Sequence, residues 1–306
     1  MVLEPGSAPD NQHGSQDRDH DPRINNWLVI PYFQNDMGRP AVERPLPANV
    51  ISWLCPSIVV NNQPGQNAFV RGQPTEVTVE VANFGRGTTA APVYVRVWWA
   101  DPCTAFSKLN PFGQTVVLAP CDGKARRSQS IIGIVPTWAP EHVCLLAHVS
   151  SPLDPGKTTP NPSSDRHWAQ FNIAEVVASA GQPFQFFFNA FNPFTEAAAF
   201  EISVKPLGGV RMESLARLAK RPLRHAEELR VNLLQGRDEH GHFGREGDAT
   251  ELVLEPGRGT MIGITGMVPE GHGPGTSFAL DIVQRQRRGE GFEGTLGLIV
   301  SVGGER

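Results

Sequence analysis

His240-Gly241-His242, beside Asp238 and Glu239, joins two imidazoles to two carboxylates within five residues, a donor set that suits a divalent metal. A pair of His at i, i+2 in a Gly-rich loop is poorly preorganised, and no distant third ligand stands out. A solvated hairpin tip is therefore the simpler reading of Asp238, His240 and His242. Asp101, Asp154 and Asp165 offer hard oxygens of the kind Ca²⁺ takes, without the spacing of an EF-hand loop. Gly156-Lys157-Thr158 ends like a phosphate-binding loop, but position 151 is Ser where the motif's first Gly would stand, in a Pro-rich context. No G-x-S-x-G, H-E-x-x-H or C-x-x-C occurs. The expectation is a protein that is not an enzyme and carries no cofactor.

Binding chemistry has more candidates. Trp98, Trp99, Trp138 and Trp168 could stack on sugar faces, which makes a glycan an alternative ligand. Strand alternation puts Trp98 and Trp99 on opposite faces, so core is the expected place for most of them. Arg217, Lys220, Arg221 and Arg224 form one basic cluster, and Arg285, Arg287 and Arg288 a second. Each reads as a solvated face or, more sharply, as a docking surface for an acidic partner. Cys103 and Cys121 flank a segment, KLNPFGQTVVL at its centre, that returns the chain as a hairpin. A disulfide between them is expected, closing a loop for about 3 kcal/mol. Cys55 and Cys144 read as buried thiols.

These residues must be held by strands. Val77, Val79 and Val81 alternate with Thr78 and Glu80, and Val93, Val95, Val97 and Trp99 alternate with Tyr94, Arg96 and Trp98. Period-two patterning of β-branched and aromatic residues marks strands with one buried face. Asn83, Gly85 and Gly87 supply the reversal between them. The 31 Gly and 27 Pro suit short strands joined by turns rather than helices. Further strands are expected at Ile51–Val60, Ile131–Val135, Val143–Val149 and His167–Ile173, an immunoglobulin-like count. A net charge of −4 points to no nucleic-acid partner, and no run of 18 apolar residues predicts a membrane span. The first residues lack the basic and apolar regions of a cleaved secretory signal. That absence weighs against oxidised cysteines and leaves a cytoplasmic location open.

The second half repeats landmarks of the first. Gly72-Gln73-Pro74 recurs as Gly181-Gln182-Pro183, Ile132-Gly133-Ile134 as Ile262-Gly263-Ile264, and Pro140-Glu141 as Pro269-Glu270. The fold class expected is all-β: two tandem immunoglobulin-like β-sandwiches, the second with an inserted crossover helix. The expected organisation is a polar acidic tail (1–21), an extended arm (22–49), a sandwich at 50–174 and a second at 175–306. Met212, Leu215, Leu218 and Ala219 follow helical spacing, which places the helix near 212–221, stopped by Pro222. In the arm, Trp27, Leu28, Ile30, Tyr32 and Phe33 need burial, and the prolines behind them suggest an extended spacer. Docking of this arm on a neighbouring copy is the expectation, with folding back onto its own domain as the alternative.

The first half resembles the CARDB-type modules, immunoglobulin-like sandwiches of bacterial cell surfaces associated with adhesion. PSIVV (Pro56–Val60), VEVANFGRGTTAAPVYVRVWWADP (Val79–Pro102), HVCLLAHV (His142–Val149) and HWAQFNI (His167–Ile173) carry the resemblance. It implies binding or assembly through protein partners or self-association, favours an extracellular or surface location, and brings no catalytic residues. The second half is similar only to a generic immunoglobulin-like repeat.

Overall fold

Alternation becomes strand where the sequence shows it. The structure, a computed structural model, describes residues 26–64, 69–106, 108–237, 243–288 and 292–303. The first half contributes β1 (Leu28–Val29), β2 (Ile58–Val60), β3 (Gln63–Pro64), β4 (Pro74–Asn83), β5 (Ala91–Ala100), β6 (Asn110–Ala119), β7 (Arg126–Arg127), β8 (Ile131–Ile134), β9 (Cys144–Ser150) and β10 (Trp168–Phe171). Along β4 and β5, Val77, Val79, Val81, Val93, Val95 and Val97 are buried, while Tyr94 and Arg96 between them face solvent. β4 pairs with β1, β2, β7 and β8 along its length, and β3 adds to β2. The second sheet runs β10-β9-β5-β6.

The second half contributes β11 (Ile173–Ala178), β12 (Pro183–Phe191), β13 (Ala198–Pro206), α1 (Gly209–Ala219), β14 (Arg230–Arg237), β15 (Phe243–Glu246), β16 (Ala249–Leu254), β17 (Gly259–Met267), β18 (Ser277–Gln286) and β19 (Glu293–Val302). Its sheets run β11-β19-β18-β13-β16 and β12-β17-β14-β15. Phe184, Phe186, Phe188, Phe200 and Phe278 fill the core between them. The described residues are all-β, built of immunoglobulin-like sandwiches with one inserted α-helix among them. No helix among the described residues is long and apolar enough to cross a membrane.

Several expectations need correcting. HWAQFNI is not one strand: β10 ends at Phe171, and Ile173 opens β11, which pairs in parallel with β19 in the next sheet. Asn172 alone separates them. The expected strand at Ile51–Val60 shortens to β2, preceded by turns. The helix starts at Gly209 and ends at Ala219, because Lys220 takes a left-handed cap (φ 52°, ψ 37°) and its N–H returns to Ala216 O. Its Leu215 and Ala219 join Leu207, Ala279 and Ile299 in the core of the first sandwich, alongside Trp53. The helix crosses over between β13 and β14, as expected, and seats Leu215 and Ala219 against the first half.

The arm packs on its own sandwich, not outside it. Leu28 and Val29 pair with Asn83 and Ala82 of β4. Leu28, Ile30 and Tyr32 belong to the first core, with Phe33 partly buried against it. Trp27 donates its indole N–H to Met37 O at 2.7 Å, and the Arg166 guanidinium lies 3.7 Å over its ring. The prolines turn the chain instead of extending it. The turn is closed by Asp36 and Arg44, whose side chains pair at 2.9 Å with 0% and 3% exposure.

Candidate functional site

Polar residues join the two sandwiches. Asn172 donates to Cys103 O and to Thr295 O, each at 2.8 Å, and accepts from the Cys144 thiol. Gln170 donates to Ser52 O at 2.9 Å and to Thr295 Oγ1 at 3.0 Å. The Trp53 indole N–H reaches Asp281 at 2.6 Å, and Arg211 holds the same carboxylate with two bonds. Thr104 donates its hydroxyl to Gln284 at 2.6 Å and its N–H to Asn189 O at 3.1 Å. Buried polar networks of this kind fix one geometry because each member is costly to leave unpaired.

That fixed geometry frames a cleft of about 860 Å³ between the sandwiches. Asp101 and Pro102 line it from the end of β5, Pro140, Glu141 and His142 from the loop before β9, and Glu175 and Val177 from β11. The run from Gln185 to Asn189 of β12, with Met261 of β17, lines it from the other side. Alternation on β12 sends Phe184, Phe186 and Phe188 into the core and turns Phe187 outward. Opposite it on β17 stands Gly263, where a Cβ would sit 2.9 Å from the Phe187 ring. The missing side chain lets the ring lie flat on the sheet.

Val177, Met261 and Phe187 are 66%, 55% and 37% exposed, an apolar surface of the kind that partners cover. Asp101 and Glu141 are exposed on the rim, and neither takes part in an ion pair among the described residues. Glu175 is held by Arg221 at 2.6 Å and by the Ser301 hydroxyl. Its carboxyl is lowered on balance, since Arg221 and Ser301 outweigh the burial that pushes it up. Burial holds His142 below the ordinary imidazole range, so it brings no positive charge at neutral pH. The cleft therefore combines an apolar floor with a negative rim.

The residues singled out in the sequence are dispersed. Asp238, His240 and His242 lie outside the described residues. Among the described residues no group of three or more His, Cys, Asp or Glu is placed to hold a metal ion. Asp101 stands at the cleft, away from Asp154 and Asp165. The tryptophans do not share a face: Trp99 and Trp168 are buried and Trp138 is 69% exposed, while Trp98 is half-buried against Trp168. The basic cluster loses Arg221 to Glu175, leaving Arg217, Lys220 and Arg224 exposed.

Cys103 and Cys121 are not bonded to each other, against the expected disulfide. β5 and β6 pair from Ala91↔Ala119 to Trp99↔Asn110, so the two cysteines lie at opposite ends of the hairpin, about 30 Å apart by strand rise. The Asn172, Thr295 and Trp53 network had no motif. Its only sequence signal was polar residues inside apolar strands.

Gly156-Lys157-Thr158 serves packing. A Cβ on Gly156 (φ 71°) would meet His167 at 2.7 Å and His148 Nε2 at 2.8 Å, and Lys157 O accepts the Trp168 indole N–H. His167 Nδ1 lies 2.8 Å from Asp165. Its Nε2 is 2.9 Å from Asp154 but off the N–H axis, a charge contact rather than a hydrogen bond. Burial lowers the His167 imidazole, and the two carboxylates more than offset this, leaving it raised.

His148, whose Nε2 is buried without a hydrogen-bond partner, is pushed down to about 4 by burial and then by the His167 charge. Its folded form resists protonation that the unfolded chain accepts near pH 6.5, so its contribution is complete above that pH and lost as pH falls toward 4. His167, being raised, contributes fully below about pH 6.5 and changes only above it. Asp154 and Asp165, both lowered, lose theirs only below the carboxylate range. His142, also lowered, adds in the same sense as His148. Unfolding in urea at about pH 7.5 and about pH 5 should differ by roughly 2 kcal/mol from His148 alone. His148→Phe keeps the ring against Trp168 (4.4 Å between centroids) and should remove that difference. An unchanged pH dependence in the variant would refute the assignment.

No family model matches the chain, CARDB-type modules included, and no curated protein matches it. Similar solved structures include the CupB6 tip adhesin from Pseudomonas aeruginosa, at 9% identity over 77% of this chain and 93% of that one, TM-score 0.23. The Enterococcus faecalis collagen-binding protein ACE matches at 7% identity over 80% and 94%, TM-score 0.24. A family 123 glycoside hydrolase from Clostridium perfringens matches at 12% identity and TM-score 0.27, covering 43% of this chain. The matched part is 23% of the hydrolase's length. At these values the fold class rests on the sheets described above.

Proposed function

We propose that the chain is a non-enzymatic interaction protein that seats an extended segment of a protein partner in the cleft between its sandwiches, as a component of a larger assembly. The observation that carries this reading is the cleft itself: exposed Val177, Phe187 and Met261 beneath the carboxylates of Asp101 and Glu141. Apolar side chains of the segment cover the floor, and a Lys or Arg side chain meets the rim. The polar network behind the cleft supports it, because a preformed seat loses little entropy on binding. A glycan platform has less support, since the tryptophans are divided between core and separate surfaces.

The test is a displayed library of extended peptides selected on the full chain, with affinities measured by calorimetry. Enriched peptides should pair apolar residues with a cationic one. Phe187→Asp should weaken binding at least about tenfold, the loss expected when one central apolar contact is removed. The double change Asp101→Asn, Glu141→Gln should weaken it less and flatten its salt dependence. Binders indifferent to Phe187→Asp, or an unenriched library, would overturn the reading.

A further inference from the structure

We infer that Cys103 and Cys144 are a disulfide-forming pair that fastens the loop after β5 to the first strand position of β9. Cys144 stands opposite Ala100, the last residue of β5. The chain then turns through Asp101 and Pro102 and brings Cys103 back over that strand end. Both cysteines lie in one small buried cluster with Ala100, Leu146 and Trp168, at 4% and 1% exposure. Asn172 clamps the pair, donating to Cys103 O at 2.8 Å and accepting from the Cys144 thiol, while that thiol also faces Asp101 O at 3.6 Å. The other cysteines are set apart. Cys121 is at the far end of the hairpin, and Cys55 is fully buried with its thiol toward Pro31 O at 3.4 Å.

The co-reactant is a low-molecular-weight disulfide. One cysteine thiolate attacks a sulfur of that reagent, giving a mixed disulfide and releasing one small thiol. The second cysteine thiolate then attacks the protein-bound sulfur, forming the Cys103–Cys144 bond and releasing the second small thiol. The two protein thiols lose one proton each and are oxidised by two electrons in all, and the reagent is reduced to two thiols. In the folded chain the Cys103 thiol is held raised, first by the neighbouring Cys144 and then by burial. Exchange therefore belongs to the chain before the sandwich closes, when both sulfurs are accessible as thiolates. The bond would anchor the loop whose Thr104 reaches Asn189 and Gln284 of the second sandwich.

The full chain is refolded in a mixture of a small thiol and its disulfide, unfolded without reductant, alkylated and weighed. The expected product is lighter by two hydrogens before alkylation and takes up two alkyl groups rather than four. Non-reducing peptide mapping should join the peptides containing Cys103 and Cys144. Cys121→Ser should still form the link, and neither Cys103→Ser nor Cys144→Ser should. The oxidised protein should melt about 5 °C above the reduced one, for a closed loop of about 40 residues. Four alkylated thiols in the refolded wild type, or a link through Cys55 or Cys121, would overturn the inference. Mapping is done on wild-type protein, so it stands even where a serine variant fails to fold.

Discussion

Trp53→Ala should destabilise the protein by about 4 kcal/mol, the upper range for truncating a buried aromatic residue, and should split its unfolding into two transitions. Trp53 is fully buried in a core that takes residues from both halves. Its indole N–H satisfies Asp281, and its carbonyl accepts Asn172 N–H at 2.7 Å. Its ring lies on Gly297, where a Cβ would approach within 2.5 Å. Removing the side chain leaves a cavity at the junction and strips one donor from Asp281, whose carboxyl burial already pushes up despite Arg211. Gly297→Ala attacks the same contact from the other side and should cost about 1–3 kcal/mol by overpacking. Calorimetry distinguishes one coupled transition from two. A loss below about 1 kcal/mol with a single transition would sink the idea that Trp53 couples the sandwiches.

Asp36→Ala should cost about 3–5 kcal/mol, the penalty for leaving the partner of a buried ion pair uncompensated. Asp36 receives two bonds from Arg44, the N–H of Tyr32 at 2.8 Å and the N–H of Gly38 at 2.9 Å. Without the carboxylate, Arg44 retains a buried charge near the Tyr32 ring, 5.7 Å from its centroid. Tyr32 in turn donates to Ser52 O and accepts from Gln170 N–H, so the damage reaches the sheet. Exchange of Arg44 as well, in Asp36→Ala with Arg44→Met, should recover much of the loss, because no charge is then stranded. Urea unfolding of the two variants measures both effects. A double variant as unstable as the single one would show that the residues matter through shape alone.

The strands were legible because burial on one face writes itself as alternation, as in Val77–Val81 and Val93–Val97. The inserted helix was legible from its spacing, though not its ends, since Lys220 caps it before Pro222 acts. The arm was misread because a run such as Trp27–Phe33 declares that it must be buried without saying where. That depended on Asp36 meeting Arg44, and polar pairs leave no periodic trace. The disulfide was misread for a related reason: proximity in a hairpin depends on which strand ends meet. Cys103 and Cys121 frame the hairpin in sequence, yet Cys144, about 40 residues on by the loop-closure count, is the thiol beside Cys103. The cleft was invisible because its wall residues come from five separate segments, and nothing in Phe187 itself distinguishes it from its buried neighbours Phe186 and Phe188.

The parallel pairing of β11 with β19 gives the molecule a mechanical polarity. From Ile173↔Gly297 to Ala178↔Val302 the two strands run side by side in the same direction. β11 is entered from the first sandwich through Asn172, while the force path out of the second leaves at the far end of β19. Tension applied across those two points pulls the strands past each other along their length, so their ladder of hydrogen bonds is loaded together rather than one at a time. A hairpin peeled from its open end offers no such sharing. Forced unfolding is governed by the rate of crossing the barrier rather than by equilibrium stability. Traction along the chain axis thus loads this ladder in shear, whereas a sideways pull opens it bond by bond.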